Sequence, residues 1–306
     1  MEITSAQNPR IKHLLALQQK SQQRRRDGLF VVEGRRELEH CLRAGYELHS
    51  LFVNEELRMK NEDWGLSDEE LKMGNEDFKS LFTLPASLYA KVAYRGSTEG
   101  VIAIVKEKKL TLADLAQSLY APKRQTPSDL AQSQHTPLSP CRDAGGKASR
   151  VEAKEALIVV LESVEKPGNL GAVLRSADAA GATAVIVCDP LTDLYNPNLI
   201  RSSIGAVFTV PTVACTSEEC IAFLQEHGIQ ILTAQLQDSS LYYDTDMRRP
   251  TAIVMGTEST GLTQQWRDVA TAHIRIPMLG LLDSLNVSVS AAILLFEAVR
   301  QRQSDL

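Results

Sequence analysis

Apolar runs alternate with amphipathic segments along most of the chain, as strands alternate with helices in α/β proteins. In the N-terminal part, the pattern predicts a helical stripe within residues 1–26 and a helix over 35–43, and it predicts strands at 29–34, 48–53 and 101–105. From residue 156 the alternation is regular, and it predicts strands at 156–161, 184–188, 206–210, 229–233, 251–256 and 272–276. Strands that are apolar throughout are typical of a mostly parallel sheet with helices on both faces.

Three helices are predicted to accompany this second sheet, over 170–180, 199–205 and 284–301. Ligands of open α/β sheets bind beyond the carboxyl ends of the strands. We therefore expect the chemistry of this part in the segments that follow its strands.

The composition changes between the two parts. Residues 121–150 contain four Pro, four Ser and three Gln, but only two large aliphatic residues, Leu130 and Leu138. Such a segment buries too little apolar surface to offset the ordering of its backbone, so it is expected to be a flexible linker. The predicted organisation is a small α/β domain over 1–118, a linker over 119–153 and a larger α/β domain over 154–306, consistent with about two domains in 306 residues.

The formal net charge of −5 argues weakly against a nucleic-acid partner. Its distribution is uneven, because residues 1–26 carry six basic residues and one acidic residue. Arg10, Lys12, Arg24 and Arg25 in this segment are therefore candidate contacts to RNA.

Five cysteines occur, and none of them forms a CxxC pair. The six histidines show no HExxH spacing, so no zinc site or other metal site is predicted. The N-terminus lacks the apolar run of a signal peptide, and no apolar stretch reaches membrane-spanning length. We expect a cytoplasmic protein with reduced thiols.

Several common catalytic motifs are missing from the sequence. Gly168 and Gly171 do not form the G-x-G-x-x-G turn of a dinucleotide or methyl-donor Rossmann site. Neither a P-loop nor a G-x-S-x-G elbow occurs. The usual nucleotide-hydrolysis and serine-hydrolase chemistries are therefore excluded.

Two segments that follow predicted strands carry candidate polar chemistry. In the first, Asn169 is suited to cap a helix, and Arg175 lies almost two turns further on. An ordinary cap with a surface arginine explains this segment equally well.

In the second segment, Gly256 and Gly261 flank Glu258 in a tight loop, which allows close backbone approach to a ligand. A plain strand-to-helix turn is the alternative.

A third segment, from Ile276 to Ser290, mixes Leu and Met with Ser and Asn at the start of the last predicted helix. Apolar walls beside polar groups are what an adenine ring would need. Ser284 and Asn286 are both placed to cap the helix.

The order and spacing of these three segments closely resemble the signature motifs of the SpoU/TrmH family, within the SPOUT superfamily of RNA methyltransferases. The first motif is matched by Asn169, Gly171 and Arg175, and the third by the run from Ile276 to Val289. The second is matched by Gly256, Glu258, Gly261 and Leu262. The N-terminal part, with TSAQNPRIKHLLAL and FVVEG, resembles the substrate-binding domain of the family.

The resemblance implies transfer of a methyl group from S-adenosyl-L-methionine to a ribose 2′-hydroxyl, on a sheet whose C-terminal segment is threaded into a trefoil knot, in a homodimer. It implies that Arg175 is the catalytic arginine, acting either as a base or as a binder of phosphate and oxyanion. The residues implied to orient the arginine and the ribose are Asn169, Glu258, Ser284 and Asn286. The residues implied to contact the cofactor, largely through the backbone, are Gly256, Leu262, Ile276, Met278 and Leu285.

The segment 198–206 resembles a family region near the RNA path, so Arg201 is a further candidate phosphate contact, with a solvated helix arginine as the alternative. The function that the resemblance implies is an RNA 2′-O-ribose methyltransferase, and the additional N-terminal domain favours ribosomal RNA. A tRNA methyltransferase of the same chemistry and an inactive RNA-binding or ribosome-assembly factor are the alternatives.

Overall fold

The computed structural model describes residues 1–56, 80–94, 99–119, 156–257 and 260–303. The N-terminal part contains a four-stranded sheet in the order β1-β4-β2-β3. Strand β4 runs antiparallel to both of its neighbours, whereas β2 and β3 are parallel. The elements are α1 (Pro9–Gln19), α2 (Ser21–Asp27), β1 (Leu29–Glu33), α3 (Arg35–Arg43), β2 (Leu48–Asn54), β3 (Leu81–Leu84), α4 (Ala86–Val92), β4 (Val101–Lys106) and α5 (Leu112–Leu119).

The second part is a seven-stranded parallel sheet in the order β7-β6-β5-β10-β8-β11-β9. Strands β10 and β11 insert beside strands that precede them in sequence, an order that fits a threaded C-terminal segment. The elements are β5 (Leu157–Glu162), α6 (Pro167–Ala179), β6 (Ala184–Cys188), α7 (Pro197–Ser203), α8 (Ala206–Thr209), β7 (Thr212–Cys215), α9 (Ser217–Glu226), β8 (Gln230–Ala234), β9 (Ser240–Leu241), a 3-10 turn (Tyr242–Asp244), β10 (Thr251–Met255), α10 (Gln264–Val269), β11 (Ala272–Arg275) and α11 (Val287–Gln303).

The α/β class and the mostly parallel sheet predicted from the sequence are confirmed, but the strand predicted at 206–210 is wrong. Ala206–Thr209 is a short helix with three buried apolar residues, entered through Gly205 at φ +82°. A short apolar run without alternation does not distinguish a buried strand from a buried helix. Three helix starts also differ. Helices α6 and α7 begin at Pro167 and Pro197, since proline is favoured in the first turn, and α11 begins at Val287.

Four aromatic rings pack where the two sheets meet. Phe30 of β1 stacks on Tyr195 with ring centroids 4.3 Å apart, and Phe208 packs edge-on against Tyr46 at 5.2 Å. The Tyr195 hydroxyl donates to the backbone oxygen of Lys108 at 2.5 Å. The N-terminal sheet and the parallel sheet therefore share an apolar contact surface.

Helix α5 packs on the parallel sheet, since Leu115 is buried with Ile158 and Val213. The segment predicted to be a linker lies outside the described residues except for Leu119, so the linker and both domain boundaries stay predictions. Among the residues that the structure describes, no helix is long and apolar enough to cross a membrane.

Candidate active site

The three signature segments leave the same edge of the parallel sheet. The first follows β5, the second follows β10, which pairs with β5, and the third follows β11, one strand beyond β8. The carboxyl ends of parallel strands share an edge, so all three segments lie where ligands of open α/β sheets bind.

Asn169 does not cap α6, contrary to the prediction. Pro167 starts the helix and Lys166 stands at the capping position without a side-chain cap bond. Asn169 lies in the first turn, and its Oδ1 atom accepts a hydrogen bond from Nδ2 of Asn286 at 3.1 Å. The structure thus joins two of the predicted orienting residues across the site.

Gly171 packs α6 against α7 at a point where a side chain would not fit. A Cβ atom there would collide with the Oγ atom of Ser202 and would lie 2.8 Å from the backbone nitrogen of Ser203. The Ser202 hydroxyl donates to the backbone oxygen of Pro167 at 3.2 Å. The glycine in the first motif therefore has a packing role, and Ser202, which the sequence reasoning did not single out, holds the start of α6.

Arg175 lies on the exposed side of α6. Its guanidinium has no hydrogen-bond or ion-pair partner among the described residues. A cation that is anchored on a buried helix and open to solvent is available to an anionic ligand.

The loop after β10 doubles back on itself. A Cβ atom at Gly256 would overlap the backbone of Gly261, which has φ +68°, so both positions need glycine. The Gly261 amide donates to the backbone oxygen of Thr257 at 3.0 Å. Glu258, the carboxylate predicted to orient the arginine and the ribose, lies outside the described residues and stays a prediction.

The end of this loop is held by a buried carboxylate. Glu162, the last residue of β5, is 2% exposed and accepts from the amide and the hydroxyl of Thr263 at 2.9 and 2.6 Å. The Leu262 side chain is buried in the core, so a cofactor contact at this residue would have to use its backbone. Sequence reasoning missed Glu162, although an acid that ends an otherwise apolar strand is a usable signal.

The segment between β11 and α11 has no regular structure and exposes its leucines. Leu279 and Leu282 are 97% and 80% exposed, and Ser284 is exposed as well. The backbone amides of residues 278–285 make no hydrogen bonds to the described residues. Of the predicted cofactor contacts in this segment, Ile276 and Met278 are half-buried and Leu285 is exposed.

Asn286 caps α11. Its Oδ1 atom accepts from the backbone nitrogen of Ser288 at 3.0 Å, and its backbone oxygen accepts from Val289 and Ser290. Ser284 lies three residues before the helix, so its predicted capping role is wrong. Because Asn286 also donates to Asn169, the cap and the link between the motifs are the same side chain.

The predicted RNA contact at Arg24 is wrong. Its side chain is 5% exposed, and its Nε atom donates to Oδ2 of Asp193 at 2.7 Å. Its Nη1 atom donates to the backbone oxygens of Leu17 and Gln18. The guanidinium is therefore occupied by protein acceptors, and it ties α2 to the parallel-sheet part.

The other basic residues of the N-terminal segment stay available. Arg10, Lys12 and Arg25 are exposed, and the Arg10 guanidinium lies 4.5 Å from the centre of the Phe82 ring. These three side chains expose their positive charge to solvent on helices α1 and α2.

Arg201 lines a cavity of about 120 Å³ between β1 and α7, together with Glu33, Glu37 and Glu99. Burial raises the pKa of Glu33, while hydrogen bonds from Tyr94 and Gln18 act against that rise. Three carboxyl groups around the arginine disfavour a phosphate, so the predicted phosphate contact at Arg201 gains no support from its surroundings.

Two protein-family models match different parts of the chain. Residues 156–296 match the SpoU rRNA Methylase family, and residues 8–103 match the MRM3-like substrate binding domain. A 23S rRNA (guanosine-2′-O-)-methyltransferase RlmB of Xanthomonas axonopodis is 39% identical over 151 residues, which are 49% of this chain and 61% of that protein. The RlmB of Vibrio parahaemolyticus is 41% identical over 48% of this chain and 60% of its own length. The chain thus spans about three fifths of these relatives.

Solved structures match nearly the whole chain. A structure described as an RNA 2′-O ribose methyltransferase is 37% identical, with a TM-score of 0.70, over 99% of this chain and all of that one. The SpoU methyltransferase AviRb of Streptomyces viridochromogenes, solved in complex with the cofactor AdoMet, is 25% identical, with a TM-score of 0.74, over 97% of this chain and all of that one. The chain belongs to the SpoU rRNA methylase family.

Proposed function

We propose that this protein transfers a methyl group from S-adenosyl-L-methionine to a ribose 2′-hydroxyl of ribosomal RNA. The observation that carries the proposal is the hydrogen bond between Asn169 and Asn286, which brings the first and third signature segments together at one sheet edge. The full-length likeness to an RNA 2′-O ribose methyltransferase at 37% identity supports it.

The loop from Ile276 to Asn286 has the donor set that this cofactor needs. Its exposed leucines supply apolar walls for an adenine. The backbone amides of residues 278–285, which have no hydrogen-bond partner among the described residues, supply directional hydrogen bonds. The cofactor supplies an activated methyl group on a sulfonium. Gly256 and the backbone of Leu262 form the neighbouring wall, which Glu162 fixes through Thr263.

We assign Arg175 to the phosphate next to the reacting ribose and to the oxygen on which negative charge develops. A guanidinium in water keeps its proton, so binding an anion is its ordinary chemistry. Holding the ribose hydroxyl in line with the methyl group contributes much of the acceleration. Passage of the hydroxyl proton to solvent and stabilisation of the charge that develops on the oxygen contribute the rest. Asn169, Asn286, Ser284 and Glu258 are proposed to orient these groups.

Ribosomal RNA is the proposed substrate for two reasons. The curated relatives act on 23S rRNA by name, and the chain carries a substrate-binding domain of its own before the parallel sheet. The exposed basic residues Arg10, Lys12 and Arg25 are proposed to contact the phosphate backbone of the RNA. The cytoplasmic location stays a prediction.

We also propose a homodimer formed through the catalytic part. Helix α11 exposes Val289 and Phe296 at 47% and 48%, and these apolar side chains are suited to a second copy of the chain. Sedimentation of the purified protein at micromolar concentration tests this proposal, because a stable monomer would contradict it.

Incubation of the purified protein with labelled S-adenosylmethionine, rRNA and tRNA tests the proposed function. The RNAs are taken from cells that lack the protein, so that the target site is unmodified. Label on a ribose of rRNA is the expected result. Label confined to tRNA would replace the proposed substrate, and RNA binding without transfer would indicate the inactive assembly factor.

A further inference from the structure

Three cysteine side chains converge outside the candidate active site. Cys188 ends β6, Cys215 ends the neighbouring strand β7, and Cys220 lies in the helix α9 that follows. Their three Sγ atoms lie within 4.8 Å of one another. The cluster is not recognisable in the sequence, because the 26 residues between Cys188 and Cys215 and the four between Cys215 and Cys220 match no familiar metal motif.

We propose that Cys188, Cys215 and Cys220 form a binding site for one thiophilic cation of the Zn²⁺ class. Thiolates bind such an ion at about 2.3 Å, which places tetrahedral sulfur ligands about 3.8 Å apart. The observed separations therefore need to shrink by at most about 1 Å, a distance that small side-chain rotations cover. Binding Zn²⁺ converts three thiols to thiolates and releases up to three protons to solvent.

The ligands stand on a backbone that is already fixed. Cys188 and Cys215 are register partners in adjacent parallel strands. The carboxyl group of Asp189 accepts from the amide and the hydroxyl of Ser217 at 3.2 and 2.6 Å, and Trp266 donates to the same hydroxyl at 3.2 Å. This network locks the start of α9 over the end of β6, so the site needs little ordering to bind an ion.

The surroundings favour a soft cation over water. Cys188 and Cys220 are fully buried beside Ile186, Leu224 and Trp266, whereas Cys215 is half-buried. The half-buried Cys215 thiol is the side from which an ion would reach the cluster.

A disulfide is the competing use of these thiols. It would consume two cysteines and leave the third without a role, whereas a trigonal set of three thiols matches a metal ion. Under reducing conditions no disulfide forms and all three thiols are available to an ion, so metal uptake that depends on the third cysteine separates the two uses.

Cadmium titration of the full-length protein tests the proposal, since thiolate-to-cadmium charge transfer absorbs in the ultraviolet. The protein is stripped with a chelator and kept reduced and free of oxygen. The expected result is one Cd²⁺ per chain, displaced by Zn²⁺. Replacing Cys215, the most accessible ligand, with alanine should weaken binding more than about 100-fold, beyond what loss of an outer-shell contact costs.

The matched control is Cys141→Ala, which removes a thiol outside the described residues and should leave the stoichiometry and the affinity unchanged. Circular dichroism checks that Cys215→Ala is folded, and Cys220→Ser provides a second ligand variant. Absence of uptake by the reduced protein, uptake that survives Cys215→Ala, or uptake that Cys141→Ala abolishes would each overturn the proposal.

Discussion

The side-chain amide of Asn286 donates to Oδ1 of Asn169 at 3.1 Å, across 117 residues of sequence. The same Asn286 side chain accepts the backbone amide of Ser288 and so caps the last helix. The position of the segment from Ile276 to Asn286 is thereby coupled to the first turn of α6. Arg175 lies on the same helix, almost two turns beyond Asn169.

Replacing Asn286 with alanine removes both the cap and the link. We expect a loss of about 1 kcal/mol in unfolding free energy, the usual cost of a missing N-cap, together with reduced methyl transfer. Urea unfolding and a transfer assay measure the two effects. Ser288→Ala keeps the cap bond to the backbone and should cost less than about 0.5 kcal/mol. Equal stability of the two variants would contradict the capping role.

Gly256→Ala places a methyl group against the backbone of Gly261, where the structure leaves no space. We expect the loop to open and cofactor affinity to fall at least tenfold, as measured by calorimetry with S-adenosylmethionine. Gly168→Ala is the matched control, because a Cβ atom there meets nothing within 4 Å. A Gly256→Ala protein with wild-type affinity would show that this loop does not contact the cofactor.

Arg175→Ala should abolish methyl transfer while leaving the cofactor affinity nearly unchanged. The side chain is exposed and has no partner among the described residues, so its removal should alter stability by less than about 0.5 kcal/mol. Single-turnover transfer and calorimetry on the same preparation separate the two effects. Undiminished methylation would refute the assignment of Arg175 to the reaction.

Local pattern was sufficient for the amphipathic helix Arg35–Arg43 and for the apolar strand Ala184–Cys188, which lie where the sequence predicts them. The prediction failed at 206–210 because an apolar run without a period fits a buried strand and a buried helix equally well. Strand order was not predictable, since the insertion of β10 between β5 and β8 depends on contacts far apart in sequence.

The candidate site, too, was predictable from local sequence only in part. Motif spacing identified Asn169 and Asn286, but their hydrogen bond depends on how two helix starts face each other. Arg24 was assigned to RNA because its charge was visible in the sequence and its distant partner Asp193 was not. The three cysteines were missed for the same reason, since only the sheet register brings Cys188 and Cys215 side by side.

Glu33 should give stability a pH dependence. Burial raises the pKa of its carboxyl group in the folded state, so between the ordinary pKa and the raised pKa the unfolded chain releases a proton that the folded chain keeps. Stability therefore falls as pH rises through that window and becomes level above it. Glu33→Gln keeps an acceptor for Tyr94 and should flatten this slope in urea titrations. If the variant kept the same dependence of stability on pH, a group other than Glu33 would be responsible for it.

The ion pair between Arg24 and Asp193 should contribute more to the free energy of unfolding than an exposed pair does. Both side chains are almost fully buried, at 5% and 12% exposure. Arg24→Met leaves the Asp193 carboxylate without its counter-charge, and breaking a buried pair this way costs about 3–5 kcal/mol. Asp193→Asn combined with Arg24→Met removes both charges and should recover part of that loss.

Urea unfolding of the two single variants and the double variant yields the coupling energy, which we expect to be about 1–3 kcal/mol for residues in direct contact. Arg25→Met is the matched control: it removes an exposed neighbouring arginine and should leave stability within about 0.5 kcal/mol of wild type while weakening RNA binding. If Arg24→Met instead kept the stability of Arg25→Met and lost RNA affinity to the same degree, Arg24 would be an RNA contact after all.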